Sequence, residues 1–181
     1  DSIVTLNLTI HTSPTVDLGI DTILCNGTTI DLDAGNGFTY LWQDGTNTQT
    51  LTANTSGTYD VTITDANGCT ATDTINVNVL SPLSVVKDST AVTCNGLSDG
   101  TASATVSGGL ASYTYLWLAN GQNYTTPNAT NLPAGTYSFV ITDFNGCSLT
   151  DSVVISEPLQ LTASVPGPDS IADFNFVGEY N

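Results

Sequence analysis

The chain consists largely of short stretches in which apolar and polar residues alternate. In residues 57–65, GTYDVTITD, the side chains of Tyr59, Val61 and Ile63 fall on one face and polar side chains fall on the other. Residues 135–143, GTYSFVITD, repeat this alternation. A period of two predicts antiparallel strands that bury one face and leave the other in water. Apolar residues recur nowhere at helical spacing over three turns, so the pattern predicts an all-β protein.

Aromatic residues follow the same alternation in both halves of the chain. At the centre of a strand in a sandwich, such a side chain is more often a core residue than an exposed stacking surface. We therefore expect six aromatic residues to lie in the interior: Tyr40, Trp42, Tyr59, Tyr115, Trp117 and Tyr137.

A longer repeat relates residues 57–73 to residues 135–151, with 11 of 17 positions identical at a constant offset of 78 residues. Each copy contains an Asp-x-Asn-Gly turn, which is typical of a hairpin because Asn-Gly adopts positive φ at low cost. A Cys-Asn-Gly motif precedes each copy, at 25–27 and 94–96. Repetition at a fixed period is typical of a tandem array. A catalytic centre, in contrast, is usually built once.

Turn residues separate six or seven short strands in each copy, a pattern that predicts β-sandwich units. Residues 1–12 are predicted to be the last strand of a preceding repeat, and residues 159–181 the start of a following unit. Complete sandwiches are expected at 13–80 and 81–158. The Ser-Pro of the short connection favours extended geometry, so we expect an extended array.

Four cysteines occur, one pair in each predicted unit, as is typical of disulfides in an oxidising compartment. Counting strands through each unit places both of its cysteines at the same end of the sandwich. This count predicts disulfides Cys25–Cys69 and Cys94–Cys147, each worth roughly 4 kcal/mol in the chain-entropy model. Four reduced core thiols are the alternative. Zinc is less favoured, because the chain has no Cys-x-x-Cys motif and its one histidine, His11, lies far from a pair.

The charge is strongly unbalanced, since 17 acidic residues and one lysine give a net charge of −16. Such a surface repels phosphate, so nucleic-acid binding is not expected. No apolar run in this segment is long enough to span a membrane.

A negative surface attracts cations, but a complete calcium-binding loop is absent from the sequence. We expect no cofactor or metal, and the weak calcium candidates are Asp17, Asp21 and Asp99.

No catalytic set can be assembled from the sequence, because the second unit contains no histidine. The protein is therefore not expected to be an enzyme.

One short motif occurs more often than the composition predicts: Asp followed by Ser or Thr and then by an aliphatic residue, Ala or Thr. This motif resembles the O-glycosylation motif of Bacteroidota. Repeat homology together with strand alternation explains three of the six occurrences, those at Asp1, Asp73 and Asp151. The candidate acceptors are Ser2, Thr22, Thr74, Ser89, Ser152 and Ser170.

Two longer stretches carry a family resemblance. VTCNGLSDGTASATVSGGLASYTYLW, followed by LPAGTYSFVITDFNGCSLTDSVVISEP, resembles the SprB repeat of large surface adhesins of gliding Bacteroidota. The first unit, with DLGIDTILCNG and GTYDVTITDANGC, resembles the PKD-like or immunoglobulin-like units of the same class of proteins. The resemblance implies tandem immunoglobulin-like sandwiches, secretion to the cell surface, and a stalk or filament segment that presents or contributes to adhesion by repetition.

The partners that this implies are neighbouring repeats of the same chain. Self-association into fibres is a further expectation, and the surface or glycan target is not identified by the sequence. A glycan-binding β-sandwich module is the alternative function, and an exposed aromatic platform would favour it.

Overall fold

The computed structural model describes residues 11–119 and 122–162, and within them it contains β-strands and no α-helix. Six strands form the first unit: β1 (Thr22–Leu24), β2 (Ile30–Asp33), β3 (Thr39–Trp42), β4 (Thr50–Ala53), β5 (Gly57–Thr64) and β6 (Thr70–Val79). Seven strands form the second unit: β7 (Ser84–Thr90), β8 (Gly100–Ser107), β9 (Thr114–Ala119), β10 (Gln122–Tyr124), β11 (Asn128–Leu132), β12 (Gly135–Thr142) and β13 (Ser148–Ile155).

The first unit packs a four-stranded sheet, in the order β1-β6-β5-β3, against a sheet of β2 and β4. The β5–β6 hairpin is antiparallel, with Gly57 opposite Val77 and Thr64 opposite Thr70. β3 is antiparallel to β5. β1, in contrast, runs parallel to β6. This parallel pairing brings the end of β1 beside the end of β6, where the chain leaves the unit.

The second unit has the sheets β10-β9-β12-β13 and β11-β8-β7. Its β12–β13 hairpin is antiparallel, with Gly135 opposite Ile155. An ion pair of 2.8 Å joins Lys87 Nζ on β7 to Asp151 Oδ2 on β13, across the edge between the two sheets. Both side chains are about one-third exposed, so the pair contributes less than about 1 kcal/mol.

Each unit has its own core around one tryptophan. Trp42 is 2% exposed and Trp117 is fully buried. Each indole Nε1 donates to a backbone carbonyl, that of Thr48 at 2.8 Å and that of Thr126 at 3.0 Å. Of the six aromatic residues expected in the interior, four are buried and two are half-buried: Trp42, Tyr59, Trp117 and Tyr137, and then Tyr40 and Tyr115.

The connection between the units is short, because β6 ends at Val79 and β7 begins at Ser84. The predicted terminal segments lie almost entirely outside the described residues: 1–10 of the predicted last strand and 163–181 of the predicted following unit.

Candidate functional site at the junction of the two units

A disulfide bond joins the two units. Cys25 of the first unit is bonded to Cys147 of the second, 122 residues further along the chain. Cys69, half-buried, and Cys94, exposed, remain as free thiols. The predicted pairs Cys25–Cys69 and Cys94–Cys147 are therefore wrong. The covalent link lies between the sandwiches and not inside each of them.

The wrong pairing comes from one chain reversal that the strand count left out. The strand count from the sequence assigned the same direction to β1, β3 and β5. In the structure, β5 runs in the opposite direction to both β3 and β1. After β3 the chain turns, and the N–H of Trp42 donates to the carbonyl of Thr46 at 2.9 Å. Residues 46–49 then run back before β4. This additional reversal places Cys25 and Cys69 at opposite ends of the first unit.

Cys25 is held at the junction by the parallel strand β1 and the turn that follows it. The N–H of Leu80, directly after β6, donates to the carbonyl of Leu24 at 2.9 Å. Thr28 closes the turn, with its N–H and its hydroxyl both donating to the carbonyl of Cys25 at 3.1 and 2.8 Å. Gly27 has φ +79°, which favours glycine in the Cys-Asn-Gly motif.

Cys147 is positioned by the Asp143 carboxylate in the β12–β13 turn. Oδ1 accepts the N–H groups of Asn145 at 2.9 Å and Cys147 at 2.8 Å. Oδ2 accepts the N–H of Leu110 at 2.8 Å. Asp143 is only 5% exposed. Of the three N–H groups that its carboxylate accepts, that of Cys147 is buried and would otherwise lack a partner. The carboxylate therefore ties the hairpin to the 108–112 loop.

Two hydrogen bonds and one close backbone approach complete the junction. Asn145 Nδ2 donates to the carbonyl of Ile23 in the first unit at 3.3 Å. In the connection, the Ser81 carbonyl accepts the N–H of Gly109 at 3.0 Å. At Gly108, whose φ is +81°, an added Cβ would clash with the Pro82 carbonyl oxygen. The connection thus packs directly on the second unit.

A cleft of about 460 Å³ opens beside the disulfide. It has three walls: the Cys-Asn-Gly turn, the connection and the hairpin. The lining residues are Cys25, Asn26, Thr28, Ser81, Pro82, Leu83, Gly146, Cys147, Ser148 and Leu149.

The hairpin of the first unit reproduces the hydrogen bonds of the hairpin at the junction. Asp65 Oδ1 accepts the N–H groups of Asn67 and Cys69, each at 2.8 Å. The N–H of Asp65 donates to the carbonyl of Cys69 at 2.9 Å, the same distance as from Asp143 to Cys147. The backbone that presents the free Cys69 is thus built like the one that presents the bonded cysteine.

The hydrogen bond from the Cys69 N–H is the main reason why the pKa of Asp65 lies below its ordinary value. A carboxyl group with a lowered pKa in the folded state stabilises the fold above its unfolded pKa, near 3.9, and loses that contribution as the pH falls through the folded value. We expect Asp65→Asn to be less stable than the parent protein at pH 7, and the difference to shrink as the pH falls towards 3. Urea unfolding at several pH values measures this.

Asp60→Asn is the matched control, because it makes the same change in net charge on the exposed face of β5. Equal effects of the two substitutions at every pH would contradict the role given to the turn carboxylate.

The weak calcium candidates are spread over the molecule, and protein groups already bond to them. Asp17 accepts the N–H of Gly19 at 2.8 Å. Asp21 accepts the N–H and the side-chain amide of Asn76 at 2.9 and 3.1 Å. Asp99 accepts from the N–H and the hydroxyl of Thr93. In the described ranges, no group of three His, Cys, Asp or Glu side chains comes together as a metal site.

The candidate glycan acceptors differ in exposure. Thr74 on β6 and Ser89 on β7 are exposed, whereas Thr22 and Ser152 are half-buried. Ser2 and Ser170 lie outside the described residues.

Sequence reasoning found all four cysteines but missed the junction that two of them form. The sequence did contain two motifs from which the junction could have been considered. The Cys-Asn-Gly motif stands at the start of each unit and the Asn-Gly-Cys hairpin near its end, and a tandem array can pair these motifs within a unit or between neighbours. Only the strand directions decide between the two pairings.

Comparison with known proteins gives one family match. Residues 86–122 match the family model of the SprB repeat. No curated protein matches the chain. These 37 residues run from the third residue of β7 to the first residue of β10, in the second unit.

Among solved structures, the chain is similar to the N-terminal eight immunoglobulin domains of Down Syndrome Cell Adhesion Molecule. The TM-score is 0.60 at 13% identity, over 78% of this chain and 24% of that one. It is also similar to the two immunoglobulin domains of DIP-gamma, with a TM-score of 0.42 at 11% identity, over 78% of this chain and 95% of that one. The chain therefore spans about a quarter of the first of these structures.

The predicted all-β, immunoglobulin-like fold is confirmed, and so is the resemblance to the SprB repeat. Together they support a repeat module of the cell-surface adhesin type. No helix that could cross a membrane occurs in the part of the chain that the structure describes.

Proposed function

We propose that this segment is part of an extended, non-catalytic stalk of a secreted cell-surface adhesin. The observation that carries the proposal is the junction: two immunoglobulin-like units are joined by a four-residue connection and a disulfide. A short connection, a covalent bond and the hydrogen bond from the Asn145 side chain to the Ile23 carbonyl limit how the units move against one another. A series of such units would extend an adhesive surface away from the cell and act by repetition.

Two further observations favour the stalk. The net charge of −16 keeps an exposed array soluble. The SprB repeat match lies in the second unit, and the first unit repeats its hairpin and its Cys-Asn-Gly turn. The alternative, a glycan-binding module, needs an exposed aromatic platform. Trp42 and Trp117 are buried and do not provide one.

Solution scattering tests the extended arrangement. A compact protein of this length has a radius of gyration of about 16 Å, whereas two sandwiches end to end, each about 40 Å long, give a value of about 24 Å. A value near that of the compact protein would contradict the stalk. Labelling of intact cells with an antibody against the two units tests the location, and absence of surface label would contradict it.

We expect O-linked glycans on Thr74 and Ser89 in the native host, because both are exposed and both follow an aspartate. The test is intact-glycopeptide mass spectrometry on protein purified from that host. Thr58 is the matched control, since it is exposed on β5 but follows Gly57. Unmodified Thr74 and Ser89, or sugar on Thr58 at the same occupancy, would contradict the prediction.

A further inference from the structure

The far end of the second unit repeats the junction surface, but with one wall missing. The groove there holds about 430 Å³ and is lined by Thr93, Cys94, Asn95, Pro158, Leu159, Gln160 and Leu161. Its first wall is the second Cys-Asn-Gly turn, and its second wall is the chain that follows the last strand. At the junction, the corresponding walls enclose a cleft whose third wall is the Asn-Gly-Cys hairpin. At the far end, no hairpin among the described residues lines the groove.

The turn at this end has the same local structure as the turn that holds the bonded Cys25. The N–H of Leu97 donates to the carbonyl of Cys94 at 3.2 Å, as that of Thr28 does to Cys25 at 3.1 Å. Gly96 has φ +82°. The side-chain amide of Asn95 donates to the carbonyl of Pro158 at 3.2 Å, which holds the turn against the second wall.

The lining of this groove is mixed, and its two leucine side chains lie in water. Leu159 is 93% exposed and Leu161 is 98% exposed. Leu83, which follows the equivalent proline at the junction, is half-buried against the second unit. The exposed thiol of Cys94 lines the groove beside these leucines. A docked unit would cover all of these groups.

The opposite end of the molecule carries the complementary part. The Asp65–Cys69 hairpin has the backbone hydrogen bonds of the bonded hairpin, and its Cys69 is a free thiol. Asn67 is the residue of this hairpin that corresponds to Asn145, whose side-chain amide donates to the carbonyl of Ile23 in the first unit at 3.3 Å. In a docked pair, Asn67 would take the place of Asn145 beside the Cys-Asn-Gly turn.

We propose that the Cys94 end of the second unit is a docking surface for an Asn-Gly-Cys hairpin, and that the Cys69 hairpin of a second copy of this chain occupies it. The two thiols then form a disulfide between copies, equivalent to Cys25–Cys147. Because the two surfaces are different and lie on different units, the contact between copies of this chain is head-to-tail. Repetition of a contact of this kind produces linear polymers.

The bond requires an oxidant, and a small disulfide such as oxidised glutathione supplies it. The Cys94 thiolate attacks one glutathione sulfur and releases one reduced glutathione. Cys69 of the second copy, as thiolate, then attacks the Cys94 sulfur of the mixed disulfide and releases the second. Two thiols lose two protons and two electrons, and one oxidised glutathione becomes two reduced ones.

The test uses the whole chain in a glutathione redox buffer at 0.5 M salt, which screens the repulsion between copies of charge −16. Cys69→Ser retains only the Cys94 thiol, and Cys94→Ser retains only the Cys69 thiol. We expect the mixture of the two variants to form disulfide-linked dimers at least fivefold faster than either variant alone. The parent protein should form a ladder on a non-reducing gel, and peptide mapping should recover Cys69 linked to Cys94.

A second substitution separates docking from simple thiol reactivity. Asn67→Ala in the Cys94→Ser partner removes the equivalent of the Asn145 contact and leaves the thiol in place, so it should slow dimer formation several-fold. If Cys69→Ser alone dimerises through Cys94 as fast as the mixture does, Cys94 is merely an exposed thiol and the proposal fails. It also fails if no disulfide forms between copies. Either failure leaves the stalk standing, since a connection within the chain can join units without docking between copies.

Discussion

Replacing Cys25 and Cys147 together by serine is expected to lower the free energy of unfolding by about 4 kcal/mol. When one unit unfolds while the other stays folded, the bond still closes a loop of roughly 60 residues, because the connection and both cysteines meet at the junction. Losing that constraint gives the unfolded chain more freedom. For domains of this size, such a loss corresponds to a fall of roughly 15 to 30 °C in the melting temperature.

Differential scanning calorimetry measures this loss, with and without a thiol reductant. Reductant should lower the melting temperature of the parent protein and leave that of the double variant unchanged. Cys69→Ser and Cys94→Ser, each lacking one free thiol, are the controls and should melt like the parent protein. A double variant that melts within 3 °C of the parent would show that the bond between the units contributes little.

The same bond shows which part of the structure the sequence could predict. The alternation in GTYDVTITD and GTYSFVITD identified β5 and β12, because a buried face leaves a period of two in the sequence. Trp42 and Trp117 lie in the two cores for the same reason. These inferences needed only residue type and spacing within one strand.

The segment in which the chain reverses direction after each tryptophan shows no alternation of apolar and polar residues. Residues 46–49 read Thr-Asn-Thr-Gln and bury no apolar face, so the alternation does not mark them. In the second unit the corresponding reversal leads into β10, which pairs with β9 at the edge of the sheet. In each unit, the tryptophan indole holds the chain beyond the reversal by a hydrogen bond to a backbone carbonyl. A polar reversal of four residues was enough to exchange the disulfide partners.

The second large effect is expected at Asp143, where we predict that alanine lowers the free energy of unfolding by about 3 to 5 kcal/mol. Its carboxylate accepts the N–H groups of Leu110, Asn145 and Cys147. The residue is 5% exposed, so water cannot fully replace the lost acceptor. The hydrogen bond from the Cys147 N–H is buried and the other two are partly buried, and a buried donor left without a partner costs about 1–3 kcal/mol.

Asp65→Ala is the matched control, because Asp65 makes the two equivalent turn hydrogen bonds in the first unit and is more exposed. The difference between the two variants isolates the contact with Leu110 and the burial of the second hairpin. Urea unfolding measures the loss in the free energy of unfolding for both variants. The Asp143 variant should also form the Cys25–Cys147 bond more slowly during oxidative refolding, because the turn that presents Cys147 has lost its anchor. If Asp143→Ala costs no more than Asp65→Ala and refolds at the parent rate, the carboxylate does not organise the junction.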